Sequence, residues 1–533
     1  MNHMPLNKSS WLAGPQKFLL IVLLLYGILG VILLPFYKYQ VTVDGISYIS
    51  SAQKLLRGDF YNAITGHWSP LYSLLLIPFL YVGIDPSLAV KLINLFAGVG
   101  IIIAMHLLCV SFSLSNKIRI SILVAVVPIV LSFCLSLVSP DPLQTCFLLF
   151  YFVFIFSRDY VYDFKAGMRC GVLGGLAYLS KHFNLPFFLY HFPLMNAILY
   201  LKNNSPRLRK TVVLNFISAL ALFTLISSPY IIAISCKYEK LTFSTTGYAN
   251  FVTMSPIPRP KLNYFIEPPD NSAVSIWDDP YFYFMSGSIH IPWSPFASFD
   301  AFKHLVRFST RHMIQSLLIL FSFSPMAFVL CCGYLAFLLI SPREFAADRE
   351  MIFFLLAIVP FVVGYCFGSV GVEGRYLMPI CFLFVLMGGH VLDRIFQRYS
   401  LARINKTILL VAFIASFSIE PAKALYQNLN TGKALYLESL SIRKYIPPGS
   451  KLVCDSNWYD SLFLTYHLKS KIYASTENMT DGEVDKEMEK YRVEYCIVWD
   501  KGNRSRPFLT KFVEMNTERY VGQNIFIYKR QDH

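Results

Sequence analysis

From Phe18 to Tyr37 the chain carries no charged side chain, and comparable apolar stretches recur along most of its length. A run of about eighteen or more apolar residues is long enough to cross a bilayer as a helix. Within the bilayer a helix satisfies every backbone polar group internally, which few other structures can do. One such run is compatible with many folds, but a chain made largely of them points to a single class, the polytopic helical membrane protein. Composition agrees: 55% of residues are hydrophobic and only 15% charged, where a soluble chain has about a quarter charged. The first run is too long for a cleaved signal peptide and lacks a small-residue cleavage site, so it reads as a retained first span.

The spans fall at roughly 18–36, 87–112, 118–138 and 142–157. Two shorter ones flank "SKHFN", and the rest lie at about 211–234, 312–340, 351–369, 376–392 and 407–420. The total is about eleven. Lys8 and Lys17 precede the first span, which puts the N-terminus in the cytoplasm. On this count the basic loops "SNKIRI", "SRDYVYDFKAGMR", "KNNSPRLRK", "SPREFAADRE" and "DRIFQRYSLARINK" all fall on the cytoplasmic side. "SPLYSLLLIPFLYVG" is short and interrupted by Pro78, so it reads as an interfacial or re-entrant helix. Counting it as a span would reverse the sidedness of half the protein. Two long outer loops result, 37–86 and 236–310.

The expected organisation is therefore a polytopic all-α membrane domain over residues 1–425, followed by an extracytoplasmic α/β domain over 426–533. In that last segment helical stretches ("ALYLESLSIRKYI", "YDSLFLTYHL", "DGEVDKEMEKY") alternate with strand-like ones ("KLVCD", "KIYA", "EYCIVW", "NIFIYK"). The alternation predicts a mainly parallel sheet. The net charge of +15 comes from short basic clusters between apolar runs, a pattern that excludes nucleic acid as a partner. Most of the cysteines sit in apolar runs and act there as small apolar residues. Cys454 and Cys496 lie in the polar segment and are either a disulfide pair or two buried thiols. No spacing resembles a zinc site.

Polar residues gather at the outer ends of the spans: Asp44, Tyr48, His67 and Ser69 in the first outer loop, Asp141 in "SPDP", Lys181 and His182 in "SKHFN", and Glu373, Arg375 and Tyr376 in "GVEGRY". Charges at membrane depth are costly and are usually paired or functional. Their collection on one side suggests a shared outer cavity, in which carboxylates facing Lys, His and Arg can bind a phosphate and activate a hydroxyl. Each residue also has a plainer reading. Asp44 and Asp141 can serve as helix N-caps, and Lys181 and Arg375 can snorkel to the interface. Glu373 can simply pair with Arg375, and Tyr376 can sit at the interface. His67 and His182 can be ordinary hydrogen-bonding residues. Trp277 and Trp293, in the aromatic second outer loop, can stack on a sugar or anchor that loop.

The stretch "DGISYISSAQKLLRGDFYNAITGHWSPLYSLLL" resembles the first outer loop of the GT-C superfamily of integral-membrane glycosyltransferases. The resembling branch holds the protein O-mannosyltransferases and the bacterial lipid A aminoarabinose transferases. "SPDPLQTCFLLF" resembles that group's second outer Asp, "GGLAYLSKHFNLP" its short span ending in Lys, and "EGRYLMPICFLFVL" its late "R-Y-x-x-P" motif. The four occur in the family's order, within residues 15–420. The chain departs from the pattern twice. Gly45 stands where many relatives have Glu, and Trp68-Ser69-Pro70 stands for Lys-Pro-Pro, leaving His67 as the nearest polar substitute.

The resemblance implies a sugar transfer, with inversion, from a polyprenyl-phosphate-linked donor to a hydroxyl of a glycolipid, glycan or protein. It places the active site on the extracytoplasmic face, in a bacterial inner membrane. Asp44 is then the general base and Asp141 assists. Lys181 and Arg375 hold the donor phosphate, with Tyr48, His67, His182, Glu373 and Tyr376 around the substrates. No cofactor is implied and no metal is expected, since two aspartates alone suit a hard cation poorly. The alternatives are a transporter or lipid flippase of envelope glycan precursors, or a non-catalytic envelope assembly protein. A transporter would show paired halves and polar groups near mid-membrane, and the sequence shows neither.

Overall fold

The computed structural model describes residues 15–256, 265–281, 293–368, 371–499, 506–515 and 525–531. Seven of its helices are long and apolar enough to cross a membrane: Gln16–Tyr37, Pro86–Ser111, Asn116–Ser136, Pro206–Lys237, Arg349–Gly368, Gly374–Arg398 and Arg403–Gln427. Pro70–Tyr81, Asp141–Ile155 and Pro325–Ile340 are shorter apolar helices. Lys165–Ser180 and Asn184–Lys202 flank the "KHF" turn. The chain is an integral membrane protein.

One expected span is divided. The run 312–340 is two helices, Phe299–Phe323 and Pro325–Ile340, broken at Ser324. Pro325 cannot donate into the preceding turn and disfavours helical backbone at the residue before it. Ser324 is accordingly extended, and its hydroxyl accepts from Ala327 N at 3.4 Å to start the second helix. The first of the pair also begins inside the second outer loop and carries Lys303, Arg307 and Arg311.

The chain forms two compact units. The first comprises residues 1–35, 91–233 and 294–429, the second 36–90, 234–293 and 430–533.

In the first unit, helix Lys165–Ser180 packs its glycines against a neighbouring backbone. A Cβ at Gly167 would meet Asn215 O at 2.2 Å, and one at Gly171 would meet Ala219 O at 2.2 Å. Small residues four apart allow this close approach, as is common between membrane helices. The loops assigned to the cytoplasmic side meet one another. Ser115 Oγ donates to Asp393 at 2.6 Å, and Arg349 donates to the carbonyls of Phe156 and Ser157 at 2.9 and 3.0 Å. Asp141 opens the helix that Ile155 closes, so it stands about 22 Å from Phe156 at 1.5 Å per residue.

The second unit is built on a five-stranded mixed sheet of order β2-β1-β3-β5-β4, where β1 is Lys451–Cys454, β2 Lys471–Ser475, β3 Tyr495–Val498, β4 Phe512–Glu514 and β5 Phe526–Arg530. β1 pairs in parallel with β2 and β3, whereas β5 is antiparallel to both β3 and β4. Leu452, Cys454 and Ile497 enter one apolar cluster, with Ile442 and Leu462 from the covering helices. Val41 and Ile46 of the first outer loop join that cluster. Val453, Cys496 and Val498 enter the cluster on the other face, with Val484, Met488 and Phe265. Both outer loops thus contribute to one core with the C-terminal segment.

This register also resolves the cysteines. Cys496 stands opposite Val453, and Cys454 opposite Ile497. Neighbouring positions on a strand point to opposite faces, so the two thiols lie on opposite sides of the sheet, buried and free. The entry to the segment is tight: Asn430 N donates to Phe36 O at 3.0 Å. Gly432 has φ +81°, and a Cβ there would meet Tyr39 O at 2.6 Å, so both backbone and space call for glycine.

Candidate functional site

In the first unit, Asp141, Lys181, Glu373, Arg375 and Tyr376 come together as expected. Asp141 is 1% exposed. It pairs with Lys181 and accepts from Ser139 Oγ at 2.7 Å. It is not a helix cap, since Pro140 holds that position and no side chain caps this helix. Lys181 ends helix Lys165–Ser180 in extended conformation. Asn184 secures the turn, donating to Ala177 O at 2.8 Å and Lys181 O at 3.1 Å.

The Lys181 ammonium lies 4.3 Å from the centre of the Tyr376 ring, within the range of a cation–π contact. Tyr376 stacks on Tyr365 at 5.0 Å, a partner the sequence did not single out. Arg375 pairs with Glu373 at 2.7 Å, and its guanidinium also acts electrostatically on Asp141. The side chains of Lys181 and Arg375 are 20% and 14% exposed. Glu373 is the outermost member at 56%. The cluster therefore sets two half-buried cations against one buried carboxylate, Asp141, and one exposed carboxylate, Glu373. His182 turns elsewhere, sharing a 2.9 Å hydrogen bond with the Tyr230 hydroxyl and stacking on its ring.

In the second unit, helix Val43–Leu56 carries Asp44 and Tyr48. Its cap is Thr42, whose hydroxyl accepts from Gly45 N at 3.1 Å. Asp44 is the second helical residue, half-buried, so the cap reading fails for this aspartate as well. Tyr48 meets Trp68 edge-on at 5.4 Å and Tyr72 at 5.5 Å. His67 meets Trp68 at 4.6 Å.

The turn bearing His67 is held by its backbone. Gly66 N donates to the Tyr238 hydroxyl at 2.9 Å, Thr245 N donates to Gly66 O at 2.8 Å, and Thr246 Oγ1 donates to His67 O at 3.1 Å. Burial pushes the His67 imidazole down to about 4, against the Asp44 and Asp279 carboxylates. His67 is therefore neutral near pH 7 and brings no cation to this turn. Ser69 is buried and opens helix Pro70–Tyr81 without capping it.

A second ionic group in this unit was not evident from the sequence. Lys54 is 2% exposed and pairs with Asp270 at 2.6 Å and Asp278 at 3.0 Å. Ser50 donates to Asp278 as well. Asp279 accepts from Lys237 Nζ and the Tyr238 hydroxyl, each at 2.9 Å. Between these aspartates, Trp277 O accepts from Ser47 Oγ at 3.0 Å and Trp68 Nε1 at 2.7 Å. The segment 276–279 is thereby fastened along the helix that carries Asp44. Burial pushes the Asp278 carboxyl up despite Lys54. Asp270, which burial alone would raise, is held below the usual carboxylate range by Lys54 and Ser272. Trp277 thus acts through its backbone, while Trp293 packs on Phe251 at 5.2 Å. The available signal was the spacing of Ser47, Ser50 and Lys54, a polar stripe at helical period.

No protein-family model matches the chain, nor does any curated protein sequence. Solved structures do match. The apo oligosaccharyltransferase of Archaeoglobus fulgidus aligns with a TM-score of 0.55 and 12% identity, over 92% of this chain and 70% of that one. The same enzyme, AglB, in complex with an inhibitory peptide and a dolichol-phosphate aligns with a TM-score of 0.54 over the same shares, at 12% identity. ArnT from Cupriavidus metallidurans bound to undecaprenyl phosphate aligns with a TM-score of 0.48 and 13% identity over 98% of each chain. The likeness to AglB is one of fold, and the fold is the GT-C type that the four sequence motifs imply.

Proposed function

We propose that the chain is a membrane glycosyltransferase that moves a sugar from a polyprenyl-phosphate-linked donor to an acceptor hydroxyl. We place the reaction on the extracytoplasmic face of a bacterial inner membrane. The observation that carries this reading is the convergence of Lys181 and Arg375 on the buried Asp141 carboxylate, beside the Tyr376 ring. Arg375 is paired with the exposed Glu373, a solvent-side carboxylate that an incoming anion can displace. A lipid phosphate arriving at the end of a membrane helix is such an anion, and AglB, which shares the fold, has been captured with a dolichol-phosphate.

The roles follow residue by residue. Lys181 and Arg375 meet the phosphate charge, which makes the lipid phosphate a good leaving group. Asp141 keeps Lys181 in place and is the carboxylate a phosphate competes with. Asp44 removes the acceptor proton, and the freed oxygen attacks the anomeric carbon as the bond to phosphate breaks. A single displacement inverts that carbon. Tyr48 and Tyr376 are assigned to substrate binding, and His67 acts as a neutral hydrogen-bonding residue.

The test is transfer by the purified chain in liposomes containing polyprenyl-phosphate-linked sugars and envelope acceptors, read by mass. The acceptor should gain one sugar with the wild type, and about 10²–10⁴-fold more slowly with Asp44→Asn. Transfer by Asp44→Asn at the wild-type rate would overturn the assignment of the base.

A further inference from the structure

At the end of the first unit remote from Asp141, three buried side chains converge that the proposed transfer does not use. Asp348 directly precedes helix Arg349–Gly368, Glu350 stands in its first turn, and His390 lies in helix Met378–Arg398. One carboxylate oxygen of each acid and one ring nitrogen of His390 lie within 4.8 Å of one another. None of the three is more than 8% exposed. His390 Nε2 is buried and has no hydrogen-bond partner among the described residues.

An imidazole nitrogen buried without a partner costs about 1–3 kcal/mol, and two carboxylates this close repel each other. Arg394 pairs with Asp348 and comes within 4.0 Å of Glu350, and Arg158 stands 3.5 Å from Glu350. These arginines neutralise the acids from the solvent side, with side chains 51% and 68% exposed. Neither gives His390 Nε2 a hydrogen bond.

We propose that Asp348, Glu350 and His390 form a binding site for one divalent first-row transition ion, which takes the place of Arg394 on Asp348. Carboxylates with an imidazole suit Zn²⁺ or Mn²⁺, whereas Mg²⁺ and Ca²⁺ prefer oxygen alone. Ligands about 2.1 Å from a shared ion stand roughly 3–4 Å apart, so the three groups need close only slightly. The ion ties the start of helix Arg349–Gly368 to helix Met378–Arg398. Its role is structural, since Asp141 lies at the far end of its own helix.

Zn²⁺ is the probe, titrated calorimetrically into the full chain, purified in detergent and freed of metal with a chelator. The expected result is one equivalent bound and a Tm about 3 °C higher at saturation. The double variant Asp348→Asn with His390→Gln should bind about tenfold or more weakly. Arg394→Gln keeps every ligand and removes the competitor, so it should bind severalfold tighter. Failure of the wild type to bind one equivalent overturns the site, as does unchanged affinity in the double variant. Should the double variant fail to fold, Arg394→Gln decides: unchanged or weaker binding overturns the proposal.

Discussion

Two ion-paired lysines in this chain sit in different electrostatic company. Lys181 shares its surroundings with one buried carboxylate, Asp141, and with the Arg375–Glu373 pair. Lys54 is enclosed by two carboxylates, Asp270 and Asp278, and is almost completely buried. The first group sets two cations against one buried and one exposed carboxylate, with an aromatic wall beside it. The second sets one lysine against two carboxylates. Under the proposed function the same residue type serves as a receptor in one unit and as a fastener in the other. Both the ratio of charges and the depth of burial, 20% against 2% side-chain exposure, separate the two.

Four experiments can break or sharpen that contrast. The largest effect is expected at Asp44, where Asp44→Asn should lower the transfer rate by about 10²–10⁴. Abundance should hold, because Thr42 and not Asp44 caps the helix. Lys54→Met comes next and should cost stability, about 3–5 kcal/mol, because it leaves two buried carboxylates unpaired. Adding Asp270→Asn and Asp278→Asn should restore most of the melting temperature. If Lys54→Met melted like the wild type, the fastener reading would be wrong.

Lys181→Gln should raise the donor KM and lower turnover, by about 1.5–3 kcal/mol in kcat/KM for one charged hydrogen bond. Combining it with Asp141→Asn should recover abundance without recovering transfer, which separates the receptor role from a packing role. The smallest effect is on pH dependence. Burial holds the imidazoles of His67 and His467 down to about 4. An unfolded histidine takes up its proton near 6.5. Between those values the unfolded chain binds more protons, so stability is full above about pH 6.5 and falls as the pH drops toward 4. Melting curves from pH 7.5 to 4.5 should show this loss, and His67→Gln should flatten only its own share.

The sequence was most informative where a periodic pattern met a boundary residue. Apolar length located most of the long helices, and the four short motifs implied the fold. The helices and strands at 433–498 lie where alternation placed them. β4 was missed because Phe512–Glu514 is three residues long, too short for any pattern. The split at Ser324 was written in Pro325, but the apolar run on both sides concealed it. The ionic group around Lys54 was hidden for another reason. Its acids lie in a segment more than two hundred residues away in sequence, and an amphipathic helix is normally read by its apolar face. The candidates Asp141, Lys181 and Arg375 were legible because each marks the end of a span.

The second unit is drawn from three stretches of chain, and Val41 and Ile46 join its core almost five hundred residues before its last strand, Phe526–Arg530. On the ribosome the helix bearing Asp44 must therefore be delivered long before the sheet that covers its apolar side exists. Throughout that interval its greasy face is available to wrong partners. A stop codon near Asn430 would leave every candidate residue of the transfer in the product and still remove the core that seats Asp44. Loss of activity in such truncations would report on assembly order rather than on chemistry.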